Sequence, residues 1–194
     1  MNFLKSVLAS MLIVAGSASA TTIDFEHADA NGTPGGINYD GAPVTTQGFA
    51  FSSNMFVIDV TDGVFSGEGP AHSGSFAVLN DLMGALTLTA ANAGAFTLQD
   101  FWIHGFYGET YDGSVTGYLN GVQVGAVSLS TGADWQNIAA NFARVDQVVI
   151  DGGGSFLVDD INATISASDV PEPASLALFG LGLAGLGALR RKSA

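Results

Sequence analysis

Two adjacent carboxylates near the end of the middle of the chain, residues 21–169, are the residues best placed to do chemistry. Asp159 and Asp160 lie in segment 156–161, whose apolar residues are typical of a β-strand. Because side chains of a strand alternate between its two faces, Asp159 should share a face with Leu157 and Ile161, and Asp160 should face the opposite side. One carboxylate must then point toward a core. A buried carboxylate needs a partner or a raised pKa.

Two kinds of partner could satisfy that carboxylate. One is Arg144, the only Lys or Arg in the middle of the chain. The other is a metal ion, and calcium fits best because oxygen ligands are abundant and cysteine is absent. The first expected strand supplies further carboxylates on one face, and first and last strands of a jelly roll are often neighbours. The expected ligands of a structural calcium ion are Asp24, Glu26, Asp159 and Asp160; the alternative is a salt bridge to Arg144 or contact with solvent.

An aromatic loop is the second candidate site. Tyr107 and Tyr111 bracket a short segment, Gly108-Glu109-Thr110, that is typical of a loop. Aromatic rings with a polar end suit contact with a sugar. The sequence therefore predicts Tyr107 and Tyr111 as ligand-binding residues, with ordinary packing as the alternative.

Other catalytic or metal chemistry has little support. The histidines, His27, His72 and His104, form no zinc-binding pair, and no serine lies in a nucleophile elbow. Acidic residues are plentiful, so a glycosidase pair is not excluded, but no pair is singled out. We expect a protein that is not an enzyme, with a small secreted hydrolase as the least favoured alternative.

The middle of the chain predicts an all-β fold that would position these residues. About ten short apolar runs alternate with turns rich in Gly, Asn and Asp, and Asn120-Gly121 is a strong hairpin signal. We expect a single β-sandwich of the jelly-roll type over residues 21–165. The long loops are expected at 28–46, 61–75, 107–113 and 130–134.

Charge limits the partners of this domain. The chain has 18 acidic and 5 basic residues and a net charge of −13. Such a chain repels nucleic acid and anionic lipid, so no nucleic-acid partner is expected. It also has no cysteine, so the core must stabilise the domain without disulfides.

The N-terminal end predicts export. Lys5 precedes an apolar run at 7–15, and Ala18-Ser19-Ala20 is a small-x-small cleavage site. Residues 1–20 are therefore expected to be a signal peptide, with a mature chain that starts at Thr21. The alternative, an uncleaved anchor, is disfavoured because the apolar run is short.

The C-terminal end predicts membrane sorting after a linker at 166–170. Three features follow in order over residues 171–194: Pro171, Glu172 and Pro173; an uncharged, glycine-rich run at 174–189; and a basic cluster of Arg190, Arg191 and Lys192. As a helix the run would rise about 24 Å. That is close to a bilayer core of about 30 Å, with the basic cluster on the cytoplasmic side.

This tail resembles the PEP-CTERM sorting signal of exopolysaccharide-producing Gram-negative bacteria, which is also labelled an ice-binding-protein C-terminal domain. That label does not make the chain an ice binder. The resemblance implies a single transmembrane segment, recognition by an exosortase-type membrane enzyme and removal of the tail. It also implies a precursor anchored transiently in the inner membrane, and then a place on the cell surface or in the extracellular matrix.

The middle resembles galactose-binding-like jelly rolls of secreted bacterial proteins. The resemblance is carried by the motifs Ile23-Asp24-Phe25-Glu26, Phe96-Thr97-Leu98, Leu119-Asn120-Gly121 and Phe156-Leu157-Val158-Asp159-Asp160-Ile161. It implies a calcium ion between the first and last strands, and in some members sugar binding. The expected function is thus a non-catalytic surface or exopolysaccharide-matrix protein. A calcium-stabilised carbohydrate-binding module, with extracellular polysaccharide as its partner, is the alternative.

Overall fold

The computed structural model describes residues 20–26, 44–52, 55–61, 71–80 and 84–166. The expected signal peptide except Ala20, the sorting tail and most of two expected loops, 28–43 and 62–70, lie outside these residues. Regular structure in the described part consists of β-strands and one 3-10 turn at Phe106–Gly108. In that part no helix is long and apolar enough to cross a membrane.

The described strands form two antiparallel sheets. They are β1 (Thr21–Ile23), β2 (Val44–Thr46), β3 (Phe49–Phe51), β4 (Phe56–Asp59), β5 (Phe76–Asn80), β6 (Leu86–Ala90), β7 (Phe96–Gly105), β8 (Asp112–Leu119), β9 (Val122–Ser130), β10 (Gln136–Val145), β11 (Gln147–Asp151) and β12 (Phe156–Ile165).

The sheets have six strands each. Sheet A has the order β10-β7-β12-β5-β4, with β1 also paired to β12, and sheet B has the order β2-β3-β6-β11-β8-β9. This arrangement confirms the all-β prediction and is consistent with a β-sandwich. It also confirms that the first and last strands are neighbours.

The main core lies between the two sheets. Phe49 packs edge-on against Phe96, and Phe25 packs in the same way against Phe51, each at a ring-centroid distance of 5.4 Å. A second apolar cluster includes Leu157, whose neighbours along β12 point into the main core. Since side chains alternate along a strand, the second cluster lies on the outer face of sheet A.

The hairpin prediction is confirmed. β8 and β9 pair around Asn120 and Gly121, whose φ angles are 52° and 74°. Both angles are in the left-handed region that this pair of residues tolerates best. β7 is one continuous strand whose pairing with β10 and β12 shifts register, which indicates bulges in this part of sheet A.

Sequence patterns missed two strands. β2 lies at the end of the expected loop 28–46. β10 buries Ile138, Ala140 and Phe142 in alternation, but small alanines make this pattern weak. In addition, β1 ends at Ile23 because Phe25, which was expected to continue the strand, has a φ of 59°.

The two sheets approach closely where Phe142 packs between them. A Cβ atom at Gly117 would lie 2.8 Å from both Phe142 Cδ2 and Val145 Cγ1. We expect Gly117→Ala to lower the free energy of unfolding by about 1–3 kcal/mol, because the packed core cannot absorb the extra atom. Chemical denaturation measures this effect.

Gly121→Asn is the matched control. No atom lies within 4 Å of a Cβ at Gly121, and asparagine tolerates the positive φ of the turn. Equal stability of Gly117→Ala and the parent would contradict the close packing around Phe142.

Candidate functional site

Asp159 and Asp160 lie where β12 changes its neighbour. Residues 156–158 pair with β5, and residues 161–163 pair with β1. The two aspartates fall in the gap between those partners. Asp160 has a φ of 43°, and the pairing of β12 with β7 shifts register here. Both features are those of a β-bulge.

This bulge corrects the predicted alternation of β12. Asp159 shares the outer face with Leu157, as expected, but Ile161 belongs to the main core. Asp160 is the extra residue of the bulge, and an extra residue shifts every later side chain to the other face. Consequently both carboxylates reach the same segment, 71–75, instead of opposite faces of the sheet.

Asp159 is fully buried, which confirms that one of the two carboxylates is internal. Its Oδ2 accepts a hydrogen bond from the backbone N–H of Ser73 at 3.0 Å, and its Oδ1 accepts one from the N–H of Asp160 at 2.8 Å. Burial raises the pKa of Asp159 from its ordinary 3.8 to about 7, although the backbone hydrogen bonds oppose that shift. Backbone N–H groups therefore lie beside Asp159, where the sequence predicted a cation. Arg144, one of the two partners expected there, is an exposed residue of β10.

Asp160 holds the neighbouring histidine. Its Oδ2 lies 2.6 Å from His72 Nδ1, and its Oδ1 accepts a hydrogen bond from Ser73 Oγ at 2.8 Å. The His72 ring stacks on Trp102 with a centroid distance of 3.8 Å and an interplanar angle of 17°. Asp160 therefore fixes the ring that covers part of Trp102.

Glu26 holds the other end of the same segment. Its Oε1 accepts hydrogen bonds from the N–H groups of Ser75 at 2.7 Å and Phe76 at 2.8 Å. Gly74 lies so close that a Cβ atom there would be 2.3 Å from the Glu26 carboxyl. Glu26, Asp159 and Asp160 thus anchor segment 71–76, and we call these three carboxylates the clasp.

The structure does not test the predicted calcium ion at Asp24, Glu26, Asp159 and Asp160. Within the described ranges, no three His, Cys, Asp or Glu side chains are grouped to hold a metal ion. The clasp oxygens accept N–H and O–H donors, and Asp24 accepts the N–H of Glu26 at 3.3 Å. Calcium binding therefore stays a prediction.

The aromatic loop is exposed, as expected. Tyr107 is 70 % exposed and has a φ of 53°, in the left-handed region. Tyr111 instead packs closely on Gly154 and donates its hydroxyl to Glu109, a hydrogen bond that raises the pKa of Tyr111. The two predicted tyrosines thus differ: one presents its ring to solvent, and the other supports the loop.

Sequence reasoning missed Thr131, which holds this loop closed. Its hydroxyl donates to the carbonyl of Glu109 at 3.1 Å and accepts the N–H of Tyr111 at 2.9 Å. Thr131 is 1 % exposed. A lone threonine after a strand carries no signal for such a role, because its partners lie about twenty residues earlier.

The raised pKa of Asp159 makes stability depend on pH. Between pH 3.8 and about 7 the folded chain keeps a proton on Asp159 that the unfolded chain has lost. The contribution of Asp159 to stability therefore falls as pH rises through this window, by about 4 kcal/mol in total. We expect Asp159→Asn to remove this slope, measured as the free energy of unfolding at several pH values.

Asp134→Asn is the control, since it removes an exposed charge and should leave the slope unchanged. A slope that persists in Asp159→Asn would contradict the buried proton. Asp159→Asn also distinguishes stabilisation by calcium from stabilisation by the buried proton. Calcium would then stabilise the parent more than magnesium does at equal ionic strength, and Asp159→Asn would lose this difference. That result would support the predicted calcium site.

Comparisons with known proteins identify a family motif in only one part of the chain. No curated protein matches it. The CBM22-1 xylan-binding domain of Xyn10C from Paenibacillus barcinonensis has 11% identity and a TM-score of 0.47, over 78% of this chain and 98% of that chain. A TmCBM61 structure in complex with β-1,4-galactotriose has 17% identity and a TM-score of 0.35, over 62% of this chain and 90% of that chain. These likenesses are remote.

The tail gives a definite match. Residues 169–192 match the model of the PEP-CTERM protein-sorting motif. This stretch contains the Pro-Glu-Pro motif, the uncharged run and the basic cluster on which the sequence resemblance rested. The chain therefore carries a PEP-CTERM protein-sorting motif at residues 169–192.

Proposed function

We propose that this chain is an exported, non-catalytic surface protein that an exosortase-type enzyme sorts to the cell surface or the exopolysaccharide matrix. The observation that carries this proposal is the sorting motif at residues 169–192. The motif begins three positions after Ser166, the last residue that the structure describes. The folded domain is thus attached almost directly to the sorting segment.

The position of the first and last strands in sheet A supports display of the domain. Thr21 pairs with Ala163, so the start of β1 and the end of β12 lie at the same end of sheet A. Gly105 pairs with Phe156, which puts the Tyr107 loop at the opposite end. The ten residues of β12 separate the two ends by about 33 Å. An anchored precursor would hold that loop away from the membrane.

Carbohydrate binding is a second candidate function, and the Tyr107 ring is the observation that favours it. The left-handed backbone of Tyr107 costs free energy, yet the ring is largely exposed. The buried Thr131 and the packing of Gly108 on Ala133 hold the loop in place. A rigid exposed aromatic ring suits contact with a sugar at low cost in conformational entropy.

The sorting proposal is tested in the tail. Replacing Pro171, Glu172 and Pro173 by alanine should leave an unprocessed precursor in the membrane fraction, because the enzyme would lose its recognition motif. Immunoblots of membrane and external fractions, with mass spectrometry of the C terminus, measure this. Ser166→Ala with Ser168→Ala is the control, and secretion of the Pro-Glu-Pro variant at the parent's size would contradict the proposal.

The sugar proposal is tested at the loop. Tyr107→Asn keeps a residue that tolerates positive φ but removes the ring. We expect it to weaken binding to a neutral-oligosaccharide array severalfold without a change in melting temperature. Val122→Ala, which trims another exposed apolar side chain, should bind like the parent. Equal binding by Tyr107→Asn would exclude the loop.

A further inference from the structure

A row of hydrogen-bonded polar side chains crosses the outer face of sheet A. Thr22 Oγ1 donates to Asn162 Oδ1 at 2.7 Å, and Asn162 Nδ2 donates to Asp100 Oδ1 at 2.8 Å. Asn137 Nδ2 donates to the same Asp100 oxygen at 3.1 Å. These four residues, which we call the polar row, belong to the adjacent strands β1, β12, β7 and β10.

The row holds its polar atoms in fixed positions and leaves several of them available. Asp100 and Asn162 are half-buried, whereas Thr22 and Asn137 are exposed. Both amides are committed to one oxygen of Asp100, Oδ1. Among the described residues, the second oxygen of Asp100 and the carbonyl oxygen of Asn137 remain as acceptors, and each amide keeps one more N–H donor.

Trp102 adjoins the row. It lies two residues from Asp100 on β7, and its Cα partner on β10 is Asn137. Because its neighbours Phe101 and Ile103 point into the main core, Trp102 lies on the outer face. The stack with His72, which Asp160 fixes, sets the orientation of the ring, and Trp102 remains half-buried.

We propose that the polar row and Trp102 form a binding surface for a neutral polysaccharide chain. Hydroxyl groups both donate and accept hydrogen bonds, so they match a surface that offers carboxylate and amide oxygens beside amide N–H groups. The net charge of −13 disfavours an anionic polymer. Three gaps between strands span about 14 Å, which suits a chain segment more than a single sugar.

This inference rests on the proposed function in taking carbohydrate as the ligand, but it assigns a different surface from the Tyr107 loop. Its test uses the full chain, purified in detergent, on an array of neutral oligosaccharides. The informative variant is Asp100→Asn. The asparagine oxygen can still accept both amides, while an NH₂ group replaces the oxygen available to a ligand.

We expect Asp100→Asn to bind at least tenfold more weakly and Asn137→Ala to bind severalfold more weakly, with melting temperatures close to the parent's. The control is Gln123→Ala on β9, which is equally exposed but belongs to sheet B. Unchanged binding by both row variants would overturn the proposal, as would loss of binding in Tyr107→Asn alone.

Failure of this proposal and failure of the sorting proposal give different results. Absence of binding to every neutral oligosaccharide would overturn the row as a sugar site, while processing of the tail would still be seen in the membrane and external fractions. Conversely, a tail that is never processed would leave the binding of the purified chain measurable.

Discussion

The outer face of sheet A depends on one constraint: the Asp159 carboxyl group must find hydrogen-bond partners in the gap between strands β5 and β1. β12 pairs with β5 over its first residues and with β1 over later ones, and Asp159 is buried where neither strand reaches. An unpaired charge there would be costly. The chain lowers that cost in two ways, by backbone hydrogen bonds that include the N–H of Ser73 and by a pKa raised to about 7, so that the group stays protonated below that pH.

The same constraint orders the surface around it. Glu26 receives the N–H groups of Ser75 and Phe76, so the clasp fixes the entry of β5 as well as the bulge in β12. Asp160 then positions His72 on Trp102. Asp160, the neighbour of the buried Asp159, thus orders a stacked pair of rings on the outer face of sheet A. The contacts that satisfy these carboxylates therefore also order segment 71–76 and the ring that stacks on Trp102.

The domain and its tail have separate physical roles. The tail carries the PEP-CTERM protein-sorting motif, which is short and contiguous in sequence. The sandwich holds the two surfaces that we propose for sugar binding, the Tyr107 loop at one end and the polar row on one face. The start of β1 and the end of β12 lie together at one end of sheet A, so the Tyr107 loop is at the far end and the polar row begins near the attached end.

The sequence by itself determined the features that are local in the chain. The sorting motif, the Asn120-Gly121 hairpin and the burial of one carboxylate in the last strand each follow from neighbouring residues. Tertiary structure decided which groups meet. Ser73 and Asp159 are 86 positions apart, and the bulge at Asp160 has no pattern of its own, so the expected alternation placed Ile161 wrongly. Strand β10 was missed because its inward Ala140 is only weakly apolar and two further alanines lie on the exposed face, and its identity as a strand comes from pairing with β7. Side-chain period is a local property, whereas the partner of a buried charge is set by strand order, which no short segment encodes.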